Sequence, residues 1–172
     1  MPIVASDIVF RLSGGASNTD PDAALGGAMS TVGGGVITTD VLNNVWDNVS
    51  GDEASAGDIE YRGIYVTNTH GTITLTGAKV WISSQTPSAD SDIYIALADE
   101  GLTAAMETIG DESTPPTGPS FTQPSSFGTG LSLGDMDPAD YYGIWIRRNI
   151  TSPASAANAD AYTLSVQGET TA

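Results

Sequence analysis

The chain is 172 residues long, a length that suits one domain. Its hydrophobic fraction is 40%, yet Leu, Ile, Val and Phe supply only about a fifth of the residues, so any core is modest. Five basic residues against 21 acids give a formal net charge of −16. That balance excludes binding to nucleic acid or to anionic membranes, because both rely on Lys and Arg. Cys is absent, which excludes disulfides, thiolate metal sites and Cys nucleophiles and leaves the compartment open. The apolar runs fall far short of the ~20 residues of a spanning helix. The start, Met-Pro-Ile-Val-Ala-Ser-Asp, lacks the basic and apolar regions of a signal peptide.

Residues 1–39 read as an extended Gly/Ser-rich N-terminal arm. Ile3–Leu12 is β-prone, with Ile8, Phe10 and Leu12 alternating against Val9 and Arg11. Gly14-Gly15, Asn18, Asp20-Pro21, Gly26-Gly27 and Gly33-Gly34-Gly35 then supply turn chemistry. The apolar residues between them are too sparse to offset the entropy of ordering the segment alone. The arm is expected to lie across a neighbouring subunit; the simpler alternative is a flexible surface loop.

Residues 40–172 read as a single β-sandwich domain. Asp40–Val49 is predicted as a short helix, capped by Asp40, with Val41, Val45 and Val49 at i, i+4 and i+8 and with Leu42 and Trp46 widening the stripe. Ser50-Gly-Asp-Glu53 has capping-box spacing for one further turn, which Gly57 would stop. From Asp58 the period becomes two. Strands are expected from Asp58 to Val66, at Thr72–Thr76, at Ala78–Ser83 with Gly77 as a bulge, at Asp92–Ala98, at Leu131–Leu133, at Asp140–Arg148 and at Ala161–Gln167. Residues 101–130 turn irregular, since Pro115, Pro116, Pro119 and Pro124 cannot enter a central strand. The fold class is therefore all-β: an antiparallel β-sandwich, jelly-roll or Ig-like, with a closed barrel as the alternative. Its expected core is Ile73, Leu75, Val80, Ile82, Ile93, Ile95, Leu97, Ile144, Ile146, Leu164 and Val166.

Catalytic chemistry finds little to stand on. His70, the one histidine, lies in an Asn-Thr-His-Gly turn, where a ring bonded to local backbone is the simpler role than a triad. The Gly-rich pieces lack the Gly-Lys-Ser/Thr end of a phosphate loop. Acid clusters at Asp90-Ser-Asp92, Asp99-Glu100, Glu107 with Asp111-Glu112, and Asp135–Asp140 offer hard oxygens that suit Ca²⁺, but none has the EF-hand pattern, and solvated loops explain them as well. Paired carboxylates for glycoside hydrolysis would want an aromatic-lined cleft, against an aromatic content of 7%. No catalytic, cofactor or metal residue is assigned, and no cofactor is expected. Arg147 and Arg148, adjacent on a strand, point to opposite faces. One can pair within the chain while the other reaches a neighbour.

Three stretches in order carry a likeness: Arg11–Gly27, Ala56–Gly71 and Gly143–Arg148. Together they resemble a family of tailed-bacteriophage virion structural proteins, over nearly the whole chain. The resemblance implies a non-enzymatic particle component. An acidic protein inside the head would repel packaged DNA, so an outer position is favoured. The expectation is a capsid decoration (cement) protein on the capsid exterior, a homotrimer that binds the major capsid protein and stabilises its lattice by mass action. Arg11, Leu12, Leu25, Arg147 and Arg148 are the candidate capsid or subunit interface residues. The alternatives are a tail, neck or fibre protein, and a Ca²⁺- or carbohydrate-binding adhesion module. Gly63 stands where that family leads one to expect Cys or a larger residue, which would leave this strand position loosely packed.

Overall fold

The computed structural model describes residues 2–157 and 160–170. Nine strands are seen among them: β1 (Ile8–Leu12), β2 (Gly26–Gly27), β3 (Asp58–Asn68), β4 (Leu75–Ser84), β5 (Ser91–Leu102), β6 (Met106–Thr108), β7 (Leu131–Met136), β8 (Tyr141–Ile150) and β9 (Thr163–Glu169). One α-helix, α1 (Gly51–Ala56), precedes β3. A four-stranded sheet, β1-β3-β8-β5, packs on a three-stranded sheet, β7-β4-β9, and every pairing is antiparallel. From β3 onward the chain alternates between these sheets, apart from the short β6. The expected all-β sandwich is the observed fold. No described helix is long and apolar enough to cross a membrane.

The core between the sheets is built by period-two alternation. Ile64 and Val66 of β3, Ile93 and Ile95 of β5, and Ile144 and Ile146 of β8 face Leu75, Val80 and Ile82 of β4 and Leu133 and Met136 of β7. Seven of the eleven expected core residues are buried; Leu97, Leu164 and Val166 are half-buried against this core, and Ile73 is half-buried. Gly77 is a bulge as its position suggests: its φ is 59°, and the pairing of β4 with both neighbours shifts register there. The strand expected at Thr72–Thr76 begins only at Leu75. His70 Nδ1 accepts the backbone N–H groups of Thr72 and Ile73, which curls that stretch into the turn instead.

The helix expected over Asp40–Val49 does not form. Asp40 and Asn43 take left-handed backbone angles, φ 61° and 57°, which no helix interior accommodates. Only Val45 and Trp46 of the expected stripe are buried; Val41, Leu42 and Val49 are exposed. The single turn at Ser50 is the real helix. The Ser50 side chain accepts from Glu53 N–H, Glu53 Oε2 accepts from Ser50 N–H at 2.6 Å, and Gly57 ends the turn at φ 78°.

A third layer was not expected. The outer face of the four-stranded sheet carries Tyr61, Tyr65, Ala96, Ala98 and Trp145, all buried under Met106 and Ile109 with Leu25, Met29 and Phe121 at the margin. The segment read as an arm supplies much of this cover. Residue 1 lies outside the described residues; residues 2–39 lie on their own domain. Phe10 and Ile8 pack on the inter-sheet core, and β1 pairs with β3 from Ile8↔Asn68 to Leu12↔Ile64. Past Leu12, Gly63 N–H donates to Ala24 O, Ser13 N–H to Gly63 O, and Gly26 N–H to Ser13 Oγ. Small residues and backbone bonding thus replace the missing apolar side chains, which is why a sequence poor in hydrophobes still orders here. Gly63 is correspondingly tight. A Cβ there would sit 2.9 Å from Ser13 Oγ and 3.1 Å from Gly26 N, so a larger residue would push the cover off the strand.

Tyr65 ties the cover to the sheet. Its hydroxyl donates to Gly27 O at 2.6 Å and accepts from Met106 N–H at 2.7 Å. Tyr65→Phe leaves both groups without that partner in a buried place and is expected to cost about 1–3 kcal/mol in chemical denaturation. Burial, opposed by the Met106 hydrogen bond, pushes this hydroxyl from its ordinary 10 up to about 12. The folded value lies above the unfolded one. The contribution is therefore whole below pH 10 and fades as pH climbs towards 12, and the variant should lose that alkaline component.

Candidate functional site

The largest concentration of buried charge lies at one end of the sandwich, where β3 and β8 pair Glu60 directly with Arg148. Positions 60 and 62 share a face of β3 with Ile64 and Val66, so Glu60 and Arg62 are carried inward and are only 1% exposed. Arg148 follows Ile144 and Ile146 inward in the same way. Arg148 Nε donates to Glu60 Oε2 at 2.5 Å, Nη1 donates to Asp47 O at 3.0 Å, and Nη2 pairs with Asp47 Oδ1 at 3.3 Å. Arg62 pairs with Glu112 and, at 3.5 Å, with Asp22. Trp46 fills the space between, its ring 4.8 Å from the Arg148 guanidinium carbon and 5.3 Å from that of Arg62. A cleft of about 330 Å³ opens beside Arg62, bordered by Asp22, Leu25, Asp47 and Gly110–Glu112.

Burial raises the Glu60 carboxyl above its usual range, against the hydrogen bond and charge of Arg148; Glu112 and Asp47 push the same way as burial. Glu60 Oε1 is buried and has no hydrogen-bond partner among the described residues. Two groups of three carboxylates meet here with ligand atoms within 4.8 Å of one another: Asp47, Glu60 and Glu112, and Glu53, Asp58 and Glu60. Most of these residues were not singled out in the sequence. The signal was present, since Glu60 and Arg62 sit in phase with Ile64 and Val66 and so had to enter the core face.

The residues that the sequence did single out are placed differently. Leu12 is 2% and Arg148 8% exposed, so both side chains are turned into their own chain rather than to its surface. The cause is the register: both lie on buried faces of β1 and β8. Arg11 is half-buried and donates to Ser30 O and Val32 O. Leu25 is half-buried against the outer aromatic layer. Arg147 points to the opposite face from Arg148 and stacks on Tyr94 at 4.0 Å and Phe121 at 5.3 Å. All five are engaged within their own chain, and nothing draws them together into one patch.

The acid clusters serve as loop staples. Asp135 Oδ1 accepts from Gly77 N–H, Asp140 Oδ2 from Asp137 N–H, Glu100 Oε1 from Glu107 N–H, and Asp90 Oδ2 from Ser155 N–H. His70 lies beside Arg11, Met29 and Pro138 in an open hollow of about 420 Å³, with Nδ1 turned to its own backbone. Family models, curated proteins and solved structures were all compared with this chain, and none matches it.

Proposed function

We propose that this chain is a non-enzymatic virion structural protein of a tailed phage, a decoration (cement) protein that binds the outside of the major capsid lattice as a homotrimer. The observation that carries the reading is how the surface is divided. The arginines are spent inside the chain, in ion pairs, backbone bonds and ring stacking. The outside is left acidic, and four of the eight exposed large apolar side chains among the described residues, Val41, Leu42, Val49 and Ile59, fall between residues 41 and 59, with Leu42 75% exposed. A net charge of −16 keeps such a protein soluble and away from DNA, and apolar side chains held in water suit a partner surface better than a reaction. Binding to the assembled lattice alone would stabilise it by mass action.

The test is co-sedimentation of the purified protein with undecorated capsids, followed by imaging of the particle. Binding at a copy number set by the capsid lattice, insensitive to salt and weakened by Leu42→Asp, is the expected result. Failure to bind, or density for this chain confined to the tail, overturns it.

A further inference from the structure

We propose that Glu53, Asp58 and Glu60 form a Ca²⁺ site that clamps α1 to the start of β3. Each carboxylate is oriented through one oxygen. Glu53 Oε2 is held by Ser50 N–H at 2.6 Å, Asp58 Oδ1 by Ile59 N–H at 2.8 Å, and Glu60 Oε2 by Arg148 Nε at 2.5 Å. The second oxygen of each has no donor among the described residues. Glu60 Oε1 adds a second observation: the residue is 1% exposed, and that oxygen is buried with no hydrogen-bond partner among the described residues. A buried carboxylate oxygen left bare is costly, and native structures satisfy such an atom with a donor, a water or an ion.

Charge and spacing point to an ion. Ligand atoms of the three residues lie within 4.8 Å of one another, the span of two oxygens on opposite sides of a Ca²⁺ at about 2.4 Å. Neither Glu53 nor Asp58 has an Arg or Lys partner among the described residues; Arg148 alone touches the trio, and it is shared with Asp47. The other trio, Asp47, Glu60 and Glu112, is different in kind. Its outer members each hold a guanidinium already, so that side of Glu60 is neutralised. An all-oxygen, carboxylate-rich set without His or Cys suits a hard cation, with water completing the shell. Glu53 and Asp58 are half-buried, which leaves the ion a way in.

The experiment uses the full chain, stripped with EDTA, in calorimetric titration with CaCl₂ and in thermal melts with and without Ca²⁺ at matched ionic strength. One binding event and a rise in Tm are expected at about 5 mM Ca²⁺, above the ~1 mM limit of weak extracellular sites. Asp58→Asn should weaken the affinity by at least about tenfold. Glu53→Gln keeps the capping box and should do the same in a folded protein. Absence of heat and of any Tm shift in the wild type overturns the site. So does binding that both variants leave unchanged, which would place the ion elsewhere. A melt that rises with MgCl₂ or NaCl as much as with CaCl₂ overturns it too, since only charge screening would then be at work.

Discussion

Arg148→Met is expected to lower the unfolding free energy by about 3–5 kcal/mol, because it strands the Glu60 carboxylate in the interior. Arg148 is held at four points: Glu60 Oε2, the Asp47 carbonyl, the Asp47 carboxylate and the face of Trp46. Met retains much of the aliphatic volume, so packing loss is small and the effect is chiefly electrostatic. The double variant Arg148→Met with Glu60→Leu removes both charges and should regain most of the loss, since a buried pair adds little over apolar packing. Urea denaturation of the two single variants and the double variant measures the coupling. Equal losses in Arg148→Met and in the double variant would mean that the guanidinium acts by packing alone. The same measurement separates an internal role for Arg148 from a contact with another protein, because a residue used only at an interface leaves the isolated chain as stable as before.

Removal of residues 1–31 is expected to abolish cooperative folding. The deletion strips β1 from the edge of β3 and uncovers Tyr65 and Trp145, both 0% exposed, and Met106, 3% exposed. Re-exposing half of the 150–250 Å² that each aromatic ring buries costs about 2–3 kcal/mol per ring. Gly63 N–H also loses its acceptor on Ala24, and Tyr65 its acceptor on Gly27. Against a total stability of about 5–15 kcal/mol, that sum leaves little. The truncated chain should bind a hydrophobic dye and melt without a transition. A sharp melt near the full-length Tm would show that the segment is a dispensable cover and would return it to the role of a detachable arm.

Much of the inter-sheet layer was legible in the sequence. Thr-Leu-Thr-Gly-Ala-Lys-Val-Trp-Ile carries both the alternation of β4 and the Gly77 that bulges it, and Ile93, Ile95, Ile144 and Ile146 mark their inward faces by period alone. The turn at His70 and the capping box at Ser50 were equally legible, since their partners lie within three residues. Local chemistry and periodicity suffice for such features.

The helix over Asp40–Val49 shows where periodicity misleads. Val41, Val45 and Val49 have helical spacing, but Asn43, Asn44 and Asn48 bond more readily outside a helix than within one. Asn44 Nδ2 does so, donating to Thr38 O at 2.6 Å. Trp46 then sits between two guanidiniums that come from β3 and β8, partners far along the chain that no local pattern announces.

The amino-acid sequence by itself determined the class of fold, the faces of the long strands and the acidic net charge. It did so because alternation, turn residues and net charge are local or additive properties. Only the tertiary structure decided that β3 and β8 are covered on both faces, that residues 13–31 lie on Tyr65 and Trp145, and that Glu60, Arg62 and Arg148 meet in the interior. Those arrangements depend on which non-consecutive strands become neighbours. In a sheet ordered β1-β3-β8-β5 they are contacts between segments about 40 to 120 residues apart, and a single-chain pattern carries no register across that distance.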